Sequence, residues 1–223
     1  MKFVEYPDRD LMTIGLADIL ASELAMTLRQ NDRASFCVPG GSTPGPVFDV
    51  LSGVKLDWDR VTVFLNDERW VPDTHERSNG RVLRRRLLTG RATAAEFVPL
   101  YKEVAEPEDA IDELTAAIKP HLPIAVLLLG MGADMHTASL FPGGDRLAEA
   151  LDDDAPILMP MRAPGAGEPR VTLTAPVLAD AMNCHVLIAG DDKREALERA
   201  KDLPPEEAPI QSVLANATVH WAA

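Results

Sequence analysis

Asp134 and His136 stand two residues apart in the loop Gly130-Met131-Gly132-Ala133-Asp134-Met135-His136, directly behind the apolar run 124–129. A histidine ordinarily titrates near neutrality, and a carboxylate beside it orients the ring and stabilises its charged form. The pair is therefore equipped for general-base work. A loop histidine that only bonds locally would leave the same trace. No G-x-S-x-G turn occurs, and neither Cys37 nor Cys184 has a suitable partner. Covalent catalysis is not indicated, and a base that activates water fits better.

Gly40-Gly41-Ser42-Thr43-Pro44 joins a second apolar run to a helix start. Glycines let backbone N–H groups approach an anion, the helix end adds a positive dipole, and the two hydroxyls add donors, so this stretch has the makings of a phosphate cradle. It has neither Walker-A nor GxGxxG spacing, and a tight turn with a helix cap explains it equally well. Lys193 lies in the first turn of a helix opened by Asp192-Lys193-Arg194-Glu195. The macrodipole disfavours a cation there unless an anion shares the space. Asp192 and Glu195 have capping-box spacing. Arg170 and Arg69 can grip phosphate or carboxylate bidentately, although a surface ion pair is the plainer fate of an arginine. Arg84-Arg85-Arg86 fans around a helix as a solvated face. His75, His121, His185 and His220 lack ligand spacing, so no metal site is expected.

These residues need elements to hold them, and the apolar periods supply some. Residues 8–30 read as a long helix with Leu16, Leu20 and Leu24 stacked at four-residue spacing. Helices are also expected at 44–51, capped by Thr43 with proline in the first turn, and at 79–88, 108–119, 176–181 and 192–201. The segment 137–141 starts a further helix before Pro142-Gly143-Gly144 stops it. Strands are expected at 35–38, 61–65, 124–129, 157–161, 170–174, 184–189 and 217–221, with one more helical turn at 210–214. Alternating strands and helices imply an α/β fold, a doubly wound, mainly parallel sheet with helices on both faces, and residues 1–223 read as one domain. Loops at the carboxyl ends of such strands converge on one edge of the sheet, where open α/β sheets bind ligands.

There are 35 acidic residues against 22 basic ones, a formal charge of −13, which argues against nucleic acid or an anionic membrane as the main partner. A small anion remains compatible, because a few focused donors outweigh a diffuse, screened field. No uninterrupted apolar run approaches the roughly 20 residues of a spanning helix. The start MKFVEYPDRD lacks the apolar centre of a signal peptide, so a cytoplasmic protein is expected. Cys37 and Cys184 sit in apolar runs and read as buried, reduced thiols.

Together the loops resemble the 6-phosphogluconolactonase family, within a wider group that includes glucosamine-6-phosphate deaminase and ribose-5-phosphate isomerase. The resemblance runs nearly end to end: PGGSTP at 39–44, NDERWVP at 66–72 with Ser78-Asn79, LLGMGADMHTASLFPG at 128–143, PRVTLT at 169–174 and AGDDKREAL at 189–197. It implies hydrolysis of 6-phospho-D-glucono-1,5-lactone to 6-phosphogluconate in the oxidative pentose phosphate pathway, without metal or organic cofactor. His136 then corresponds to the base that activates water, assisted by Asp134. Gly40, Gly41, Ser42, Thr43, Arg170 and Lys193 correspond to phosphate and sugar contacts, with Arg69, Asn79 and Asp67 contributing. The implied partner is a small sugar-phosphate lactone met by a monomer or weak homo-oligomer. The sequence departs from the family's usual Asp-Gly-His at Met135. A left-handed backbone there would strain methionine by about 1 kcal/mol or more. Two other readings stand beside the lactonase. An amino-sugar-phosphate deaminase or isomerase usually carries an HIAFNEPG-like segment where this chain has HTASLFPG. A non-catalytic sugar-phosphate sensor would keep the phosphate grip without turnover.

Overall fold

The computed structural model describes residues 1–223. Its apolar runs become strands buried along nearly their whole length: β2 (Ala34–Val38) and β3 (Val61–Leu65), and later β6 (Val126–Gly130) and β9 (Cys184–Ala189). Burial on both faces is what a parallel sheet demands, and it explains why these segments are continuously apolar rather than alternating. With β1 (Lys2–Glu5), β5 (Glu96–Val98) and β10 (Ala217–Ala222) they form a seven-stranded sheet in the order β1-β10-β9-β6-β2-β3-β5. Every pairing in it is parallel. The chain runs outward from β2 to β3 and β5, then returns to β6 and runs outward the other way to β9 and β10. The direction reverses between β2 and β6, and the loops leaving those two strands open a crevice at the switch point. At the far edge β1 pairs with β10 alone, Phe3 opposite Val219, and the Met1 amino group donates to the Ala215 carbonyl.

Helix α1 (Arg9–Gln30) begins at Asp8, whose side chain accepts from the Leu11 N–H at 2.8 Å. Its buried stripe of Met12, Leu16, Leu20, Leu24 and Leu28 packs on the sheet. Judged by mean hydropathy, 1.5, rather than by an unbroken run, α1 is long and apolar enough to cross a membrane; here it lies on the sheet as a core helix. Beside it lie α2 (Gly45–Gly53) and then α3 (Asn79–Arg86). Further along come α4 (Ile111–Ile118), α5 (Leu147–Leu151), α6 (Ala175–Ala179), α7 (Asp191–Ala200) and α8 (Gln211–Leu214). Of these α5, α6 and α8 form a second packed group. The architecture is the doubly wound, mainly parallel one expected from the alternation of elements.

A second, three-stranded antiparallel sheet was not expected. It has the order β4-β8-β7, from β4 (Asp67–Arg69), β7 (Leu158–Met161) and β8 (Arg170–Leu173). Asn66 joins the two sheets: its N–H donates to Val38 on β2, its carbonyl accepts from Leu173 on β8, and its Nδ2 donates to the Leu128 carbonyl on β6.

Three local expectations are corrected. Residues 137–141 form no helix, because Ala138 is left-handed (φ 48°), Thr137 bridges to Leu140, and the Ser139 N–H is taken by the Thr172 hydroxyl. Thr43 does not cap α2: the capping position is Pro44, and no side chain bonds the helix start. Asp192 and Glu195 form no capping box, because α7 starts earlier, behind Gly190 at φ 89°, again without a side-chain cap. Cys37 and Cys184 are both buried and unpaired.

Candidate active site

The loop after β2 runs straight into α2. Gly41 turns it at φ 85°, a conformation that favours glycine. Gly40 lies flat against Asn79; a Cβ on Gly40 would come within 2.0 Å of the Asn79 Oδ1. No side chain caps α2; the Gly45 N–H donates to the Ser42 carbonyl at 3.2 Å, and it is the preceding turn, Pro39 to Pro44, that lines the crevice. Lys193, in the first turn of α7, lines the same crevice.

The loop after β6 carries the titratable pair. Asp134 Oδ1 lies 2.5 Å from His136 Nδ1 and 3.3 Å from the His136 N–H. This bond, more than any other influence, holds the Asp134 carboxyl below its ordinary pKa. With Nδ1 occupied by an acceptor, the neutral ring carries its proton there, and Nε2 keeps a free lone pair. The turn is closed by the Gly132 N–H on the His136 carbonyl (2.9 Å) and the Met135 N–H on the Gly132 carbonyl (3.0 Å). Met135 itself is left-handed, φ 67°, and its carbonyl accepts from the Ile210 N–H. Phe141 packs against the imidazole with ring centres 4.7 Å apart, and the Arg170 guanidinium lies 5.5 Å from the same phenyl ring.

The small sheet delivers the arginines. Arg69 on β4 and Arg170 on β8 are cross-strand partners in register. Arg170 is 7 % exposed, which rules out the surface ion pair expected of an isolated arginine. Burial pulls its pKa down, and Asp67, 3.6 Å away, opposes that shift. Asp67 in turn accepts from the Ser139 hydroxyl at 2.6 Å, tying the histidine loop to the sheet. Arg69 donates to the Asn79 Oδ1 at 2.9 Å and to the Arg77 carbonyl at 2.6 Å. Like charges opposite one another across a ladder are unfavourable unless something negative shares them.

Gly40, Gly41, Ser42, Thr43, Asp67, Arg69, Asn79, His136, Arg170 and Lys193 all line one cavity of about 320 Å³. Asp134 does not line it; it stands behind His136 and acts through the ring. The sequence reading passed over Asn66, Glu68, Ser139 and Phe141. Each lies inside a motif already quoted, and only their burial or ring contacts mark them out. No three His, Cys, Asp or Glu side chains gather as a metal-binding group.

Residues 7–221 match the family model described as glucosamine-6-phosphate isomerases/6-phosphogluconolactonase. The chain is 42 % identical over 223 residues to a 6-phosphogluconolactonase of Mesorhizobium japonicum, covering 97 % of this chain and 93 % of that one. To the 6-phosphogluconolactonase of Rhizobium meliloti it is 44 % identical, covering 93 % of each. Among solved structures, a 6-phosphogluconolactonase from Shewanella baltica superposes with a TM-score of 0.96 at 30 % identity, covering 100 % of this chain and 98 % of the other.

Proposed function

Because the chain belongs to the family of glucosamine-6-phosphate isomerases and 6-phosphogluconolactonases, and is a lactone hydrolase acting on a small sugar phosphate, we propose that its substrate is 6-phospho-D-glucono-1,5-lactone and that His136 performs the hydrolysis. The single observation that carries this reading is a base, oriented by a carboxylate at 2.5 Å, facing the same cavity as a glycine turn and three cationic side chains. His136 Nε2 takes a proton from water as its oxygen attacks the lactone carbonyl carbon. The tetrahedral oxyanion collapses, the bond to the ring oxygen breaks, and the imidazolium returns its proton to that oxygen. The product is the open hydroxy acid. Asp134 holds the ring in one tautomer and stabilises it while charged. A ring ester is electrophilic enough for a base with electrostatic help to suffice.

The phosphate end is held by the Gly40-Gly41-Ser42-Thr43 turn, Arg170 and Lys193, with Arg69, Asn79 and Asp67 shaping the wall. Binding so far from the reacting carbon fixes orientation. The product places the enzyme in the oxidative pentose phosphate pathway. The unbroken core supports reading residues 1–223 as one domain. Two unpaired buried thiols support a cytoplasmic protein, and the charge of −13 supports one without nucleic acid or membrane partners.

The test is hydrolysis of freshly prepared lactone, corrected for its spontaneous opening. His136→Ala is expected to lose about 10²–10⁴-fold in kcat. Wild type and variant both running at background would sink the enzyme reading. Phosphate binding without turnover would favour the sugar-phosphate sensor.

A further inference from the structure

Glu68 lies one strand position from the cavity wall and is 2 % exposed. Its neighbours Asp67 and Arg69 point into the site, so strand alternation turns Glu68 to the other face of β4, under the start of α3. There its carboxylate is saturated with donors. Oε1 accepts from the Asn79 N–H at 2.8 Å and the Arg69 N–H at 2.7 Å. Oε2 accepts from the Gly80 N–H at 2.7 Å and the Ser78 hydroxyl at 3.2 Å. Burial raises the pKa of this group against the pull of its backbone donors, and placing a carboxylate here costs desolvation. A surface cap would not need that cost, since the Ser78 hydroxyl already caps α3 by accepting from the Arg81 N–H.

What Glu68 holds in place is Asn79, and Asn79 touches three parts of the site. Its Oδ1 receives Arg69, its Nδ2 donates to the Asp67 carbonyl at 3.0 Å, and its carboxamide is the surface on which Gly40 rests. Asn79 can satisfy all three only at one depth and one rotation, because Gly40 leaves no room for a methyl group between them. The depth is set by its backbone N–H, which is the group Glu68 binds.

We infer that Glu68 is a positioning residue for the anion end of the site: its carboxylate fixes Asn79, and through Asn79 the Gly40 turn and the Arg69 guanidinium. The inference rests on the reading of that turn as the phosphate anchor. It separates Glu68 from the reacting end, because Asp134 and His136 belong to another loop and bond none of these groups.

Glu68→Gln keeps the shape but sets an amide NH₂ against backbone donors. With the phosphorylated lactone, KM is expected to rise about tenfold and kcat to stay within about threefold, the equivalent of about 1.4 kcal/mol of lost binding. The inhibition constant of inorganic phosphate should rise by a similar factor. A merely structural role would reduce the active fraction, so kcat would fall with KM and the phosphate constant unchanged; that result overturns the inference, as does a folded variant with wild-type constants. If Glu68→Gln does not fold, Asn79→Ala removes the relay while leaving Glu68 its backbone donors, and an unchanged KM there overturns it equally. Should wild type show no turnover, the lactonase reading falls, while calorimetric titration with inorganic phosphate still decides whether Glu68 governs the anion end.

Discussion

At the scale of single residues, Met135 is the most informative position. Its left-handed backbone costs about 1–2 kcal/mol for a residue with a Cβ. The strain is held in place by the Met135 carbonyl on the Ile210 N–H and by the turn closed on Gly132. Met135→Gly removes the strain but gives back about 0.5–1 kcal/mol in chain flexibility. Stability should therefore rise by about 0–1.5 kcal/mol in urea unfolding, with kcat/KM retained or raised. A tenfold loss in kcat/KM would show that the side chain, not the backbone, shapes the loop. The Asp134–His136 pair was legible in the sequence because two residues in a short loop cannot lie far apart. That Asp134 stands outside the cavity was not, since which face a loop residue takes depends on the turn. Arg170 was legible as a cation but not as a buried one, because its burial comes from strands that are distant in sequence.

At the scale of elements, two glycine loops leave neighbouring strands, and they divide the work. Each glycine is required by close approach. A Cβ on Gly132 would lie 2.1 Å from His136 Nδ1 and 2.2 Å from Asp134 Oδ1. Gly132→Ala should therefore dislodge the base and lower kcat by about 10²-fold or more, with KM little changed. Gly40→Ala pushes instead on Asn79 and should raise KM while sparing kcat. Steady-state kinetics of the pair check this, and equal damage to the same constant in both variants would contradict the division. The long strands and α1 could be read from apolar period alone. β4 could not: Asp67-Glu68-Arg69 is polar throughout, and only pairing with β8 makes it a strand. Both uncapped helix starts also escaped the sequence. A serine, threonine or aspartate near a helix end signals a cap, and here the proline and glycine that precede α2 and α7 take the capping positions instead.

At the scale of the whole molecule, one buried chain of polar groups ties α1 to the sheet edge. The Glu23 carboxylate can only accept, so His185 Nε2 donates to it at 2.7 Å; His185 Nδ1 shares a hydrogen bond with His220 Nε2 at 3.0 Å, and His220 Nδ1 shares one with the Tyr6 hydroxyl at 2.9 Å. Burial first, then His185 and Lys2, push the His220 pKa down to about 3. A folded pKa below the ordinary value near 6.5 means that the unfolded chain takes up protons first as pH falls. Stability from this group is whole above about pH 6.5 and declines toward pH 3, by at most about 1.4 kcal/mol per pH unit. Urea midpoints between pH 7.5 and 5 should show the decline, and His220→Gln, which keeps a donor and an acceptor but does not titrate, should flatten it. An unaltered slope in that variant would assign the acid sensitivity elsewhere. The alternation of strands and helices made the doubly wound plan readable, whereas β1 was not, being four residues long and half exposed. That small strand has a consequence for how the protein is made. Lys2–Glu5 is synthesised before every other strand of the sheet, yet its only partner is β10, the last of them in sequence, and the Met1 amino group reaches a carbonyl 214 residues further on. This edge of the sheet therefore stays open until β10 has emerged: β1 must wait through the synthesis of every other strand for the one surface it can join.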